Sequence, residues 1–288
     1  MLSQQEISNL AGEGTACPIK VASVALDSEI GDVEGNLRQA EALLSALDRD
    51  TDIAVLPELF NTGFVQNPVR LSQLAAEHGE KTIRTAMHWA RKYDIAVCGS
   101  CLYREGDIVF NRGFFITPDE GVQAFYDKHH LFCLSPEAKY LTKGSDLPPV
   151  IQYKRWNISM IICYDLRFPV WCRNLDQRYD MLLVPANWPQ ARAYAWRHLL
   201  IARAIENQAV VIGANRSGHD EFGEYNDNSY IIDPSGMVVA PSCDTKETSR
   251  FPQENAVIYA SFTLAQVQKI RTRLPVGADA DPFSLTVR

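Results

Sequence analysis

The chain has 288 residues, 46% of them hydrophobic and 22% charged, which supports a sizeable core and excludes disordered, collagen-like and coiled-coil classes. Thirty-five acidic residues against 28 basic ones leave a net charge of −7, which argues against general nucleic-acid binding and against docking on anionic membranes. No apolar run approaches the ~20 residues of a membrane helix, and the first twenty residues are too polar for a signal-peptide core, so a cytoplasmic protein is expected.

Residues 1–18 read as an irregular lead-in, after which strand-like and helix-like segments alternate. A buried strand is predicted at 19–26. A helix at 32–48 follows, with an apolar stripe of Leu37, Ala40, Leu43, Leu44 and Leu47. A buried strand at 52–57 and a helix at 70–93 come next, then three strands at 95–103, 108–117 and 121–127. The run 150–163 suggests a hairpin ending at Cys163, with a helix starting near Pro169. Strand 180–185, helix 191–207, strand 208–215, a hairpin at 228–240 around Asp233-Pro234-Ser235-Gly236, strand 256–261 and helix 263–273 complete the chain. With no repeat and no linker, the reading is a single α/β domain over 1–288, its core at about 19–262 and a helix and tail at 263–288.

Seven cysteines, an odd number, do not suggest a disulfide framework. Cys98-Gly99-Ser100-Cys101 imitates a redox pair but lies in an apolar strand pattern, where the two thiols should face opposite sides as core residues. The six histidines lack metal-ligand spacing, and no glycine-rich phosphate loop is present, so neither a metal nor any other cofactor is expected.

Reactive groups in α/β proteins gather where buried strands end. Three such ends carry chemistry: Glu58 after AVLP, Lys128 after AFYD and Cys163 after SMII. Singly, each has an ordinary reading: Pro57-Glu58 as a helix start, Lys128 as a solvated charge, Cys163 as core filler. Together they form a nucleophilic set. A carboxylate can take the thiol proton, the thiolate can attack an electrophilic carbon, and the ammonium with a backbone N–H, here that of Tyr164, can hold the oxyanion. His129 and His130 are read chiefly as structural, Asp165 and Arg167 as a local ion pair stiffening the turn, and Cys172 as helix packing.

The stretches LPELFNTGF, YDKHHLF and IICYDLRFP, in that order, resemble the nitrilase superfamily of carbon–nitrogen hydrolases from about Lys20 to Ala260. That resemblance implies a four-layer α-β-β-α sandwich and a homodimer. It implies Glu58 as general base, Lys128 as oxyanion stabiliser and proton donor, and Cys163 as nucleophile. Glu137, seven residues before Gly144, matches a second glutamate of the family, orienting Lys128 or the substrate. CYDLRFPVW, VPANWP, ARAIENQ and the tail RTRLPVGADADPF look most like the omega-amidases, which cut the terminal amide of 2-oxoglutaramate or 2-oxosuccinamate through a cysteine thioester. The frequent glutamine near the end of the first strand is missing from KVASVALD. The expected partner is thus a small-molecule amide, with no nucleic acid and no membrane. Asn187 and Trp188 are candidate substrate-binding residues, Trp188 reading equally well as core. No residue for the substrate carboxylate is identifiable. Deaminated glutathione, N-carbamoyl compounds and a catalytically silent binding protein are the alternatives.

Overall fold

The computed structural model describes residues 18–135, 137–226, 228–241 and 256–286; apart from Pro18, the expected lead-in lies outside them. The chain folds into two six-stranded sheets, each covered by helices on its outer face. In the first sheet, β1 (Pro18–Val24), β2 (Ile53–Val55) and β3 (Ala96–Glu105) run parallel. β4 (Ile108–Thr117) and β5 (Gly121–Asp127) continue from β3 as an antiparallel meander, and β14 (Val257–Thr263) pairs antiparallel with β1 at the other edge. The second sheet follows the same plan. β7 (Trp156–Met160), β8 (Met181–Ala186) and β9 (Val210–Asn215) are parallel, flanked by β6 (Val150–Tyr153) on one side and by β12 (Tyr230–Ile232) and β13 (Val238–Pro241) on the other.

Strand alternation sorts the core into layers. On β1, Ile19 and Val21 face the second sheet while Val24 faces the helices; on β3, Ala96 and Cys98 face the second sheet while Val97 and Cys101 face the helices. The two cysteines therefore lie in opposite layers, as their spacing predicts. Between the sheets, Ile53, Val55 and Phe115 face Ile158, Met160 and Leu183. Behind the first sheet pack α1 (Val33–Ser45) and the 26-residue α2 (Pro68–Tyr93), which begins on an Asn67 cap with a proline in its first turn. Behind the second lies α4 (Ala193–Asn207), whose Trp196 and Leu200 pack over Gly213 on the outer face of that sheet. The C-terminal α5 (Leu264–Arg273) is anchored by buried Arg271, whose guanidinium donates to Asp180 at 2.8 Å and to the Tyr179 carbonyl. This is the four-layer α-β-β-α sandwich. Among the described residues, no helix is long and apolar enough to cross a membrane.

Two local expectations fail, and one element was not expected. No helix starts at Pro169: a 3-10 turn occupies Cys163–Arg167, hydrogen-bonded turns follow, and a second 3-10 turn covers Leu175–Gln177. Cys172 is nonetheless buried, as core packing requires. No helix starts at Pro57-Glu58 either, where the chain turns instead. A hairpin of β10 (Ser217–Asp220) and β11 (Gly223–Asn226) escaped the sequence reading, because SGHD and GEYN carry no apolar alternation.

Candidate active site

Three parallel strands point their C-terminal ends at one place. Glu58 leaves the end of β2, Cys163 follows β7, and Asn187 follows β8; Lys128 follows β5, which runs in the same direction as β3. The first sheet thus supplies the carboxylate and the ammonium, and the second supplies the thiol. Glu137 enters on a single short turn, α3 (Glu137–Tyr140).

The four sequence-predicted catalytic residues are brought together and buried, with Glu58 and Lys128 each only 1% exposed. Lys128 Nζ donates to Glu58 Oε1 at 2.7 Å and lies 2.8 Å from both Glu137 oxygens. The solvated reading of Lys128 is therefore excluded. Glu58 Oε2 accepts the Asn187 backbone N–H at 3.0 Å, and the Glu58 N–H reaches back to the Ala186 carbonyl at 3.3 Å. Glu137 Oε2 also accepts the Phe132 N–H at 2.8 Å. The exit of β5 is fixed by Gly144, whose N–H donates to the Lys128 carbonyl. A Cβ on Gly144 would lie 2.0 Å from the Asp127 carbonyl oxygen, so only glycine fits there.

Electrostatics follow from burial. Desolvation raises the Glu58 pKa, partly offset by Lys128, and leaves it a stronger base than an exposed carboxylate. Burial works against charge on Lys128, but Glu137 and Glu58 outweigh it and hold the ammonium protonated. The Cys163 thiol is pushed well above its ordinary value, by burial first and the Glu58 charge second. Burial therefore favours the neutral thiol at Cys163, beside Glu58. Cys163 has φ +45°, a left-handed conformation that costs an L-residue ~1–2 kcal/mol and turns the chain sharply after the strand. The Tyr164 N–H falls in the first turn of the 3-10 segment, where backbone donors have no partner within the helix.

A pocket of about 500 Å³, open mouth included, leads down to these groups. Cys163, Glu58, Lys128 and Asn187 form its polar floor; Phe64, Phe132, Trp188, Phe222 and Tyr225 form an aromatic wall, with Arg167 and Arg192 among them. Trp188 is 3% exposed and also lines the pocket, a position compatible with either of the readings the sequence left open. Asn187 lines the pocket with both side-chain polar atoms buried and without a partner among the described residues.

The expected Asp165–Arg167 ion pair does not form. Asp165 accepts from Tyr126 Oη at 2.7 Å, from the Ile162 N–H, and from the backbone and Nδ1 of His130. Arg167 instead lies over the Trp188 ring at 4.8 Å, with no carboxylate partner among the described residues. His129 contacts the Gly144 carbonyl and stacks on Trp171, and His130 stacks on Phe168, so both are structural. The sequence reading missed the Phe222–Tyr225 hairpin wall and Arg192 entirely. Among the described residues, no group of three metal-ligating side chains is placed to hold a metal ion.

The carbon–nitrogen hydrolase family model matches residues 20–272. The omega-amidase YafV of Yersinia enterocolitica is 39% identical over 258 residues, covering 88% of this chain and 93% of that protein. The 2-oxoglutaramate amidase of Bacillus subtilis is 32% identical over 90% of this chain and 96% of its own length. Among solved structures, XC1258 of Xanthomonas campestris, a CN-hydrolase superfamily protein with an arsenic adduct in its active site, superposes with a TM-score of 0.84 at 33% identity, covering 93% of this chain and 99% of its own.

Proposed function

The chain belongs to the carbon–nitrogen hydrolase family and is an amidase acting on non-peptide carbon–nitrogen bonds; on that premise we propose that it hydrolyses the terminal amide of a small 2-oxo acid monoamide, 2-oxoglutaramate or 2-oxosuccinamate, through a cysteine thioester. The observation that carries the substrate class is Arg167. This cation in the pocket wall has no acidic partner among the described residues, and it follows the thiol by one 3-10 turn. A substrate carboxylate supplies the missing partner in a two-point bond. The names of two relatives support the same substrate class.

In this reading Cys163 Sγ attacks the amide carbon while its proton passes to Glu58. The oxyanion is held by Lys128 Nζ and the Tyr164 N–H. Glu58 returns the proton to the leaving nitrogen, ammonia departs and a thioester remains. Water then enters, gives a proton to Glu58 and attacks the thioester carbon. The acid is released as the thiol regains its proton. Glu137 keeps Lys128 charged and in place, and the Asn187 carboxamide hydrogen-bonds the bound substrate.

The test is ammonia release from 2-oxoglutaramate beside glutamine, deaminated glutathione and an N-carbamoyl amine, with Cys163→Ala as the blank. Cys163-dependent turnover that favours 2-oxoglutaramate is expected. Preference for another member of the panel overturns the substrate and keeps the chemistry, and full activity of Cys163→Ala overturns both.

A further inference from the structure

We infer that Asn111 is a positioning residue for the reaction: its side-chain amide holds Glu58 and Glu137 together so that Lys128 can turn an N–H towards the substrate. The inference rests on the roles proposed above for Glu58, Lys128 and Cys163. Asn111 lies in the middle of β4 and is completely buried. Its Nδ2 donates to Glu58 Oε1 at 2.8 Å and to Glu137 Oε1 at 3.2 Å, so one amide spans both carboxylates. Its backbone carbonyl accepts the Lys128 N–H at 2.9 Å. The same residue therefore fixes the lysine's main chain and both of its counter-ions.

Two features separate this arrangement from ordinary core packing. The first is that Asn111 Oδ1 is buried and has no partner among the described residues. A purely structural asparagine satisfies both ends of its amide. Here the amide is oriented by two acceptors, and turning it over would set its oxygen against two carboxylates. The second is the donor count on Lys128. An ammonium has three N–H groups, and Nζ faces three carboxylate oxygens at 2.7–2.8 Å. To reach an oxyanion it must release one of them. Asn111 keeps Glu58 Oε1 and Glu137 Oε1 supplied with a donor while that happens, so the base stays aimed at the thiol.

The experiment compares wild-type protein with Asn111→Leu, which removes the donors at similar volume, and Asn111→Ser, which is smaller and retains a polar group if the leucine variant does not fold. Two readouts are followed across pH. One is ammonia release from 2-oxoglutaramate; the other is alkylation of Cys163 by iodoacetamide, separated from the exposed Cys133 by peptide mass spectrometry. We expect kcat to fall about 10- to 100-fold, the worth of a hydrogen bond to a charged group, with KM within about threefold. The acid limb of both profiles should move to higher pH, since a carboxylate that loses a donor is harder to ionise. The charged and titratable groups facing Glu58, namely Lys128, Glu137 and Cys163, are the same in all variants. A folded variant with wild-type kcat and an unmoved acid limb overturns the inference, as does a loss that lies wholly in KM. Wild-type alkylation at Cys163 without any acid limb overturns the assignment of Glu58 as base, and the role of Asn111 with it.

Discussion

Replacing Arg167 by methionine tests the substrate assignment most directly. The side chain is half-buried, lies 4.8 Å from the Trp188 ring and makes no ion pair among the described residues. Methionine keeps most of the stem's apolar contact and removes the charge. A cation–π contact of this kind is worth ~0.5–1 kcal/mol, so the melting temperature should drop by a few degrees at most. Binding should suffer far more. A hydrogen bond to a charged group is worth ~1.5–3 kcal/mol, and each 1.4 kcal/mol is tenfold, so kcat/KM for 2-oxoglutaramate should fall about 10- to 150-fold. The control is butyramide, an uncharged amide of similar length, whose kcat/KM should change by less than about twofold. Ammonia release measures both. Equal losses on the two amides would refute the reasoning, because Arg167 would then support the reacting groups rather than a carboxylate. An unchanged rate on 2-oxoglutaramate would refute it as well and move attention to Arg192, which lies over the Phe132 ring in the same wall.

Lys128→Met should be inactive and also unstable. It leaves Glu58 and Glu137 buried without their cation, and breaking a buried pair in this way typically costs ~3–5 kcal/mol, readable as a lowered denaturation midpoint at neutral pH that recovers partly in mild acid as the carboxylates protonate. Because burial raises the Glu58 pKa and the proposed base is its ionised form, kcat/KM should decline on the acid side with an inflection above the ordinary carboxylate range of about 4–4.5; an inflection at or below that range would count against Glu58 as base. The outer face of α4 carries exposed Tyr194 and Ile205, with exposed Met237 close by in sequence to β13, and we expect a second copy to cover this patch. Light scattering should give twice the chain mass, and Tyr194→Glu with Ile205→Glu should halve it.

Much of the sandwich is legible in the sequence because its signals are local. The apolar stripe of α1 and the buried parallel strands each carry their own periodicity, and the helix expected at 70–93 is α2, which begins two residues earlier at Pro68. What is not local cannot be read. β14 pairs with β1 across more than 230 residues, and nothing in either segment names the other. Glu58, Lys128 and Cys163 stand out because charge or sulfur at the end of an apolar run is unusual. Asn111 does not, since a polar residue beside Arg112 within a strand is unremarkable, and its purpose depends on two carboxylates from other parts of the chain. Arg167 was misread for a related reason. Asp165 is its neighbour in sequence, but the left-handed turn at Cys163 directs that carboxylate to Tyr126 and His130 and leaves the guanidinium with the pocket. Pro169 gave a genuine helix-start signal that the same sharp turn overrides.

Glu58 hangs from one sheet yet takes its Oε2 hydrogen bond from the other, through the Asn187 N–H. The gap between the Glu58 carboxylate and the Cys163 sulfur is thus a measure of how far apart two stacked plates stand. That spacing is set deep inside, where the Cys98 thiol lies 4.0 Å from the Met160 sulfur and Ser23 reaches the Gly213 carbonyl at 3.5 Å. A methylene added or removed there touches no reacting atom, but interiors transmit such changes. Turnover therefore works as a gauge finer than melting: a slightly swollen or slipped sandwich would stop cutting amides while still looking folded.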